Sequence, residues 1–246
     1  MGSSRLPGKV LLPAGGQPLL GLMVDRLKRV PSIDSIVIAT TGNARDDELE
    51  AFAQAHKVHC FRGSEDDVVE RVIGAGESIG ADVLVSLTGD CPLVDPQIVE
   101  QSIQMFLNNN CEYVSTGYIP SYPAGVGDNQ VFFLETLKRS AQMSDDPAER
   151  ENVGMHIHKH PELFTQVFLV GPPELCWSGL HLLLDTPEDY ELLKLVVDRF
   201  GDRDFGCSDI IELFKSDKSL LRINDRVPRN DVDDGRPVRG SLEEDV

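Results

Sequence analysis

The sequence predicts an α/β fold with a largely parallel sheet, and three observations support this prediction. Short apolar runs alternate with amphipathic stretches through the first half of the chain. The apolar runs lie at 35–41, 57–61 and 82–88, and each has the length of a buried strand. The stretches between them are long enough for helices. Strand, helix and strand therefore follow one another at the spacing of right-handed βαβ units.

The amphipathic stretches predict helices at about 17–30, 44–56 and 66–79. A further helix is predicted directly after Asp95, which can cap it, because Pro96 fits the first helical turn. Ile98, Ile103 and Phe106 then recur at helical spacing.

Beyond residue 110 the pattern is looser but still mixed. It predicts strands near 112–115, 129–134, 165–170 and 180–184, and helices near 147–160, 187–200 and 208–215. From residue 224 onward the sequence is polar and poor in core residues. We therefore expect one domain over 1–223 and a flexible polar tail over 224–246.

Composition narrows the class of function. The 246 residues carry 41 acidic and 23 basic side chains, a net charge of −18, which argues against a binder of nucleic acid or of an anionic membrane. No apolar run has the length of a membrane span, and no signal segment opens the chain. Five scattered cysteines favour a reducing cytoplasm over a disulfide framework, and most are expected to be small core residues.

The chain opens on a loop of small residues that suits a nucleotide triphosphate. Gly2 lets backbone N–H groups approach phosphate oxygens, and Ser3 and Ser4 add hydroxyl donors. Arg5 and Lys9 bring positive charge to an otherwise acidic chain. The loop lacks the Walker A spacing. A frayed terminus, or an expression remnant beginning Met-Gly-Ser-Ser, is the alternative interpretation.

Two aspartates follow apolar strands that are far apart in sequence. Asp90 ends Thr88-Gly-Asp, and Asp185 opens Asp-Thr-Pro-Glu. Parallel sheets bind ligands at the carboxyl ends of their strands, and Mg²⁺ takes one or two protein carboxylates together with phosphate and water. The two aspartates could flank one such ion. A turn aspartate and a helix N-terminus are the alternatives.

Two further groups of residues have side chains of the types that bind ligands or metals. Arg62 follows a predicted strand and Arg71 lies on the next helix, where both could meet a nucleotide or a sugar acid. Their alternative role is to pair with acidic neighbours at the surface. His156 and His160 stand at i, i+4, a spacing that can hold zinc. With no H-E-x-x-H pattern, we interpret them as surface or capping histidines.

Four segments in this order and spacing give the chain a family resemblance. They are 2–9 (Gly-Ser-Ser-Arg-Leu-Pro-Gly-Lys), 61–67 (Phe-Arg-Gly-Ser-Glu-Asp-Asp), 88–93 (Thr-Gly-Asp-Cys-Pro-Leu) and 185–189 (Asp-Thr-Pro-Glu-Asp). Over about residues 1–215 the chain resembles cytidylyltransferases of the CMP-sugar synthetase type, which include the acylneuraminate and 3-deoxy-manno-octulosonate enzymes. It is most similar to the subgroup of spore-coat polysaccharide biosynthesis proteins.

The resemblance implies a three-layer, Rossmann-like nucleotidyltransferase fold with a mostly parallel mixed sheet. It also implies an enzyme that transfers CMP from CTP to a sugar acid or related acceptor, with Mg²⁺ as cofactor. By resemblance, Arg5 and Lys9 contact phosphate, and Asp90 and Asp185 hold the metal. Gly2, Ser3, Ser4, Arg62, Arg71 and Thr88 would line the nucleotide and sugar pocket. Family members are commonly homodimers, and we expect a cytoplasmic dimer here.

The chain departs from the family pattern in three places. The family begins with an apolar strand ending in Ala-Arg, and Met1 stands where the next residue would be, so we expect that first strand to be missing. If the chain is the real product, weak folding and weak activity follow. The stretch 125–130 (Gly-Val-Gly-Asp-Asn-Gln) and Asn152 also differ, and both bear on the acceptor sugar.

Two other functions remain open from the sequence. A homologue without catalysis would bind the nucleotide or nucleotide sugar and release no pyrophosphate. A glycosyltransferase would consume a nucleotide sugar held by a metal, although we find no Asp-x-Asp at a strand end.

Overall fold

The computed structural model describes residues 1–119 and 121–228, and the strands of that part of the chain form three sheets. The strands are β1 (Pro13–Ala14), β2 (Gln17–Pro18), β3 (Val37–Thr41), β4 (His59–Gly63), β5 (Val83–Ser86), β6 (Tyr113–Ser115), β7 (Gln130–Phe133) and β8 (Gln166–Phe168). The helices are α1 (Leu19–Leu27), α2 (Asp47–His56), α3 (Val68–Ser78), α4 (Pro96–Asn108), α5 (Leu134–Ala141), α6 (Pro147–Glu151), α7 (Met155–Lys159), α8 (Pro187–Phe200) and α9 (Cys207–Ser216).

The first predicted βαβ unit is present. β3 and β4 pair in parallel, with Val37 opposite His59 and Thr41 opposite Gly63, and α2 forms the crossover between them. A parallel pair needs such a crossover because the chain must return to the same edge before it can pair again. The prediction of strands near 35–41 and 57–61 around one helix is confirmed.

The larger sheet has the strand order β5-β7-β6-β8 and is mixed. β7 runs antiparallel to both of its neighbours, whereas β6 and β8 are parallel. The parallel share is therefore smaller than the sequence predicts, because β7 returns beside β6 through a loop rather than through a helix. In the described part of the chain β3 and β5 share no ladder, although Ile38 and Val85 pack against the same apolar cluster.

A buried arginine on α1 joins the segment before α4 to the segment before α9. Arg26 is 1% exposed, and its Nε donates to the Val94 carbonyl at 2.6 Å. Its second amino group donates to the Phe205 carbonyl at 3.0 Å, and the guanidinium lies 4.4 Å from the centre of that ring. Burial lowers the pKa of Arg26 to about 10, so the group stays charged at neutral pH. The hydrogen bond from Arg26 fixes Val94, directly after the 88–93 segment.

Several predicted elements differ from the observed ones. The stretch 180–184 forms no strand in the described structure but only an isolated bridge, Ala124 with His181, because a turn begins directly after Ala124 and leaves no continuous partner. α5 occupies the end of the predicted strand 129–134 and beyond, where leucines recur at helical spacing. α1 begins at Leu19 because the two preceding residues pair in the β1–β2 hairpin.

The predicted helix 147–160 is divided into α6 and α7 at Gly154. This glycine has φ = 82°, a left-handed conformation that ends helical continuity. A Cβ atom there would clash with Gln130 Oε1 and lie 3.1 Å from the Tyr113 hydroxyl. The glycine therefore permits both the turn and the close approach of α7 to β6 and β7.

The predicted tail begins in the folded part of the chain. Asn224 is only 8% exposed and donates from its amide nitrogen to the His181 carbonyl at 3.0 Å and to Asp189 Oδ1 at 2.8 Å. The rest of the predicted tail, from residue 229, lies outside the described residues. Among the described helices, none combines the length and apolarity needed to cross a membrane.

Gly154→Ala is expected to destabilise the protein more than Gly80→Ala does. Both glycines have positive φ, so both variants lose about 1–2 kcal/mol to left-handed backbone strain. Only Gly154 adds a steric clash, since nothing lies within 4 Å of a Cβ at Gly80. Urea unfolding of the two variants measures the difference, and equal losses would contradict the close approach described here.

Candidate active site

The first half of the site is the turn after β5. The chain leaves the strand at Ser86 and reverses at Thr88-Gly-Asp90, where the Cys91 N–H donates to the Thr88 carbonyl at 3.2 Å. Thr88 Oγ1 donates to Asp90 Oδ1 at 2.5 Å and holds the carboxylate in place. This is the strand-end position that the sequence predicts for Asp90.

Cys91 is adjacent to this carboxylate but has no nucleophilic character. It is 1% exposed, and burial raises the pKa of its thiol, reinforced by the nearby charge of Asp90. Nucleophilic cysteines are thiolates in partly exposed, electropositive surroundings. Cys91 is therefore a core residue, as the sequence predicts for most of the cysteines; Cys111 and Cys207 are buried as well.

The second half of the site is the segment that leads into α8. The Leu184 N–H donates to the Asp90 carbonyl at 2.9 Å, which places Asp185 beside the turn after β5. Thr186 caps α8, and its Oγ1 accepts a hydrogen bond from the Asp189 N–H at 3.3 Å. Asp189 accepts in return from the Thr186 N–H at 3.0 Å and from Asn224. Buried hydrogen bonds thus fix the backbone on both sides of Asp185.

Two cations from the N-terminal loop pair with the aspartates, and one of them, Lys9, contacts both. Lys9 Nζ is 3.3 Å from Asp90 Oδ2 and 2.9 Å from Asp185 Oδ1. A guanidinium nitrogen of Arg5 is 3.2 Å from the same oxygen of Asp185. The side chains of Lys9, Asp90 and Asp185 are 17%, 24% and 22% exposed, so the cluster is half-buried and still reachable from solvent. The residues that the sequence assigns to phosphate and metal meet at one place.

The loop itself offers hydrogen-bond donors at this place. Gly8 has φ = 69° and precedes the 3-10 turn Lys9–Leu11. Ser3 Oγ accepts from the Leu6 N–H at 3.3 Å and shapes the loop. Among the described residues, the backbone N–H groups of Ser3, Ser4 and Arg5 have no protein acceptor. Such groups are the donors that a phosphate oxygen takes.

The hydrogen bonds of Arg62 and Arg71 go to residues other than those of this cluster. Arg62 donates to Asp47 Oδ1 at 2.6 Å and to Glu50 Oε2 at 2.9 Å, both on α2 rather than on the acidic run after β4. Arg71 donates to the Ser64 carbonyl, while its buried Nε has no partner in the described part of the chain. Burial lowers the pKa of Arg71. Their assignment to the nucleotide or sugar pocket stays a prediction.

The donor set fits a hard divalent cation. Two carboxylates from separate segments both reach one ammonium group, so they address one point that a cation can occupy. Oxygen donors of this kind, completed by phosphate oxygens and water, are those that Mg²⁺ prefers. In the described structure, Asp90 and Asp185 are the residues that would hold such an ion beside the loop.

One group of residues departs from its predicted surface role. His156 is 8% exposed rather than at the surface, and its Nδ1 lies 2.7 Å from Glu149 Oε2. The sequence signal for this pairing is the spacing of 7 and then 4 residues from Glu149 to His156 to His160. This spacing differs from the H-E-x-x-H pattern, so the usual zinc motif does not reveal it.

Thr186→Ala is expected to lower the free energy of unfolding by about 1 kcal/mol, the usual cost of losing a helix N-cap. Chemical denaturation measures the loss. Ser216→Ala is the matched control, because that serine is exposed at the last turn of α9, and its change should stay within about 0.5 kcal/mol. Equal losses of unfolding free energy in the two variants would show that the cap does not stabilise the segment that follows Asp185.

Comparison with known proteins shows which family this chain resembles. The cytidylyltransferase family matches residues 1–199. Spore coat polysaccharide biosynthesis protein SpsF of Bacillus subtilis is 34% identical over 218 residues, which are 87% of this chain and 90% of that protein. The structure of a cytidylyltransferase from Leptospira borgpetersenii is 33% identical, with a TM-score of 0.86 over 94% of this chain and 95% of that one.

A third relative matches over a shorter stretch. The 8-amino-3,8-dideoxy-manno-octulosonate cytidylyltransferase of Shewanella frigidimarina is 33% identical over 115 residues, 46% of each protein.

Proposed function

Since the chain belongs to the cytidylyltransferase family and is a nucleotidyltransferase enzyme, we propose that it transfers CMP from CTP to a sugar acid or a related sugar acceptor. Pyrophosphate is the second product. The observation that carries this proposal is the convergence of Lys9 and Arg5 on Asp90 and Asp185 at the carboxyl end of β5. Cations beside paired carboxylates are what a metal-bound triphosphate requires.

The reaction is an in-line displacement at the α-phosphorus. An acceptor hydroxyl oxygen forms the new bond to phosphorus while the bond to the pyrophosphate oxygen breaks, and the hydroxyl proton passes to solvent water. Positioning and charge neutralisation then account for most of the catalysis. Asp90 and Asp185 would hold a Mg²⁺ ion, which would supply positive charge to neutralise the triphosphate. Arg5 and Lys9 offset the negative charge that grows on the leaving pyrophosphate.

Two relatives support the class of acceptor. One full-length relative is named for spore coat polysaccharide biosynthesis, and a shorter match is named for an eight-carbon sugar acid. Both support a sugar acceptor destined for a surface polysaccharide or another glycan. A cytoplasmic homodimer stays the expectation for the active form, and light scattering of the purified protein measures the oligomeric state.

The direct test is release of pyrophosphate from CTP with Mg²⁺ against a panel of sugar acids. Release with one acceptor, together with a new CMP-linked product, supports the transfer and identifies the substrate. Binding of CTP with no release across the panel would favour a binder, or an acceptor outside the panel. Consumption of a CMP-sugar, with transfer of its sugar, would favour the glycosyltransferase.

Asp90→Asn is expected to lower the rate of CMP transfer by about 10²–10³ with the fold kept, because a charged contact at the transferring phosphate is lost. Steady-state turnover measures the loss, and circular dichroism checks the fold. Asp198→Asn is the control, since that aspartate is half-exposed on α8 and pairs only loosely with Lys194, at 3.8 Å. A loss under about threefold for Asp90→Asn would contradict its assigned role.

Chelation with EDTA is expected to stop the transfer, and added Mg²⁺ should restore it. Asp185→Asn should raise the Mg²⁺ concentration for half-maximal rate by at least about tenfold, because one of two carboxylate ligands becomes a neutral amide. Full activity in EDTA, or an unchanged Mg²⁺ requirement in the variant, would argue against a metal at these aspartates.

A further inference from the structure

We propose that Glu149, His156 and His160 form a zinc site, separate from the candidate active site. Glu149 lies on α6, His156 on α7, and His160 directly after α7. One ligand atom from each residue lies within 4.8 Å of the other two. Two imidazoles and a carboxylate are a ligand set that suits Zn²⁺, and such a set leaves a fourth position for water.

An unsatisfied nitrogen supports a ligand at this cluster. His156 is 8% exposed, and its Nδ1 is 2.7 Å from Glu149 Oε2. Its Nε2 is buried and has no hydrogen-bond partner among the described residues. Buried polar atoms are nearly always paired in native proteins, so an unpaired imidazole nitrogen calls for a partner. The buried Nε2 of His156 is therefore a nitrogen that a ligand at the cluster can take.

The surrounding structure orients His160 and brings it near Glu149. His156 and His160 lie on one face of the turn, with ring centres 4.4 Å apart. His160 Nδ1 pairs with Glu162 Oε1 at 2.8 Å, which leaves its Nε2 for a metal. A carboxylate behind a ligating histidine is the usual arrangement that fixes its tautomer. Gly154 permits the turn that brings α7 back toward Glu149.

Glu149 already has a positively charged neighbour, which a metal ion would have to displace. Lys159 Nζ lies 3.4 Å from Glu149 Oε1, and its side chain is 35% exposed, so it can move into solvent when a metal takes the carboxylate. Arg150, next to Glu149, pairs with Asp67 and holds α6 against α3. A zinc ion would therefore tie α7 to a helix that is already anchored, which is a structural role independent of CMP transfer.

The test is calorimetric titration of Zn²⁺ into chelator-treated protein, compared with His160→Ala and Glu149→Gln. We expect one zinc per chain for the unaltered protein and at least about tenfold weaker binding for each variant. His160 is 37% exposed, so its removal should leave the fold intact, and circular dichroism checks this. His59→Ala, an exposed histidine on β4, should bind zinc as the unaltered protein does.

Substitution with Co²⁺ gives a second measurement, because tetrahedral cobalt with nitrogen and oxygen ligands absorbs visible light. The band should appear in the unaltered protein and be lost in both variants. Absence of stoichiometric zinc binding would overturn the proposal and leave the cluster as a histidine–carboxylate pair. Zinc binding that is unchanged in both variants, as expected for binding at the cysteines, would overturn it as well.

Discussion

The candidate active site depends on one backbone hydrogen bond, from the Leu184 N–H to the Asp90 carbonyl. It joins the turn after β5 to the segment before α8, and a carboxylate stands on each side of it. Without a cation the two carboxylates would repel each other. For unit charges about 4 Å apart, the interaction ranges from about 1 kcal/mol in water to about 4 kcal/mol at the effective dielectric near a protein surface. Lys9 offsets this repulsion because its ammonium group pairs with both carboxylates.

Buried polar contacts, and not a long β-sheet ladder, hold the elements around that hydrogen bond in place. The α8 capping box orients the chain after Asp185, and Asn224 fastens it to the segment carrying His181. Arg26 fixes Val94, beyond the turn that carries Asp90. An unsatisfied buried partner costs about 1–3 kcal/mol, so these contacts keep the carboxylates at fixed positions. Their charged ends remain partly exposed, where a nucleotide can reach them.

The sequence predicts the parts of this structure that local chemistry determines. The parallel β3–β4 pair, the helix after Asp95 and the capped α8 follow from apolar runs and capping residues, and likeness to the Leptospira structure confirms the α/β nucleotidyltransferase fold. The meeting of Asp90 with Asp185 follows because both residues end apolar segments. Functional residues at the ends of apolar segments can therefore be predicted before the fold is known.

What the sequence does not predict depends on contacts between distant residues. The stretch 180–184 is as apolar as a strand, yet it has no continuous partner to pair with. Gly154 breaks a helix whose pattern is otherwise continuous, because Gln130 and Tyr113 occupy the space beside it. Arg62 pairs with acids of α2, which its sequence neighbours do not reveal. In each case the tertiary surroundings, and not the local pattern, decide the structure.

The measurement that tests the central claim most directly is a crystal structure with Mn²⁺ and a non-hydrolysable CTP analogue. The account predicts manganese between the carboxylates of Asp90 and Asp185, with the phosphates against the loop of residues 2–9. It also predicts that Lys9 leaves at least one aspartate to contact phosphate. A nucleotide bound elsewhere, with Lys9 still paired to both aspartates, would contradict it.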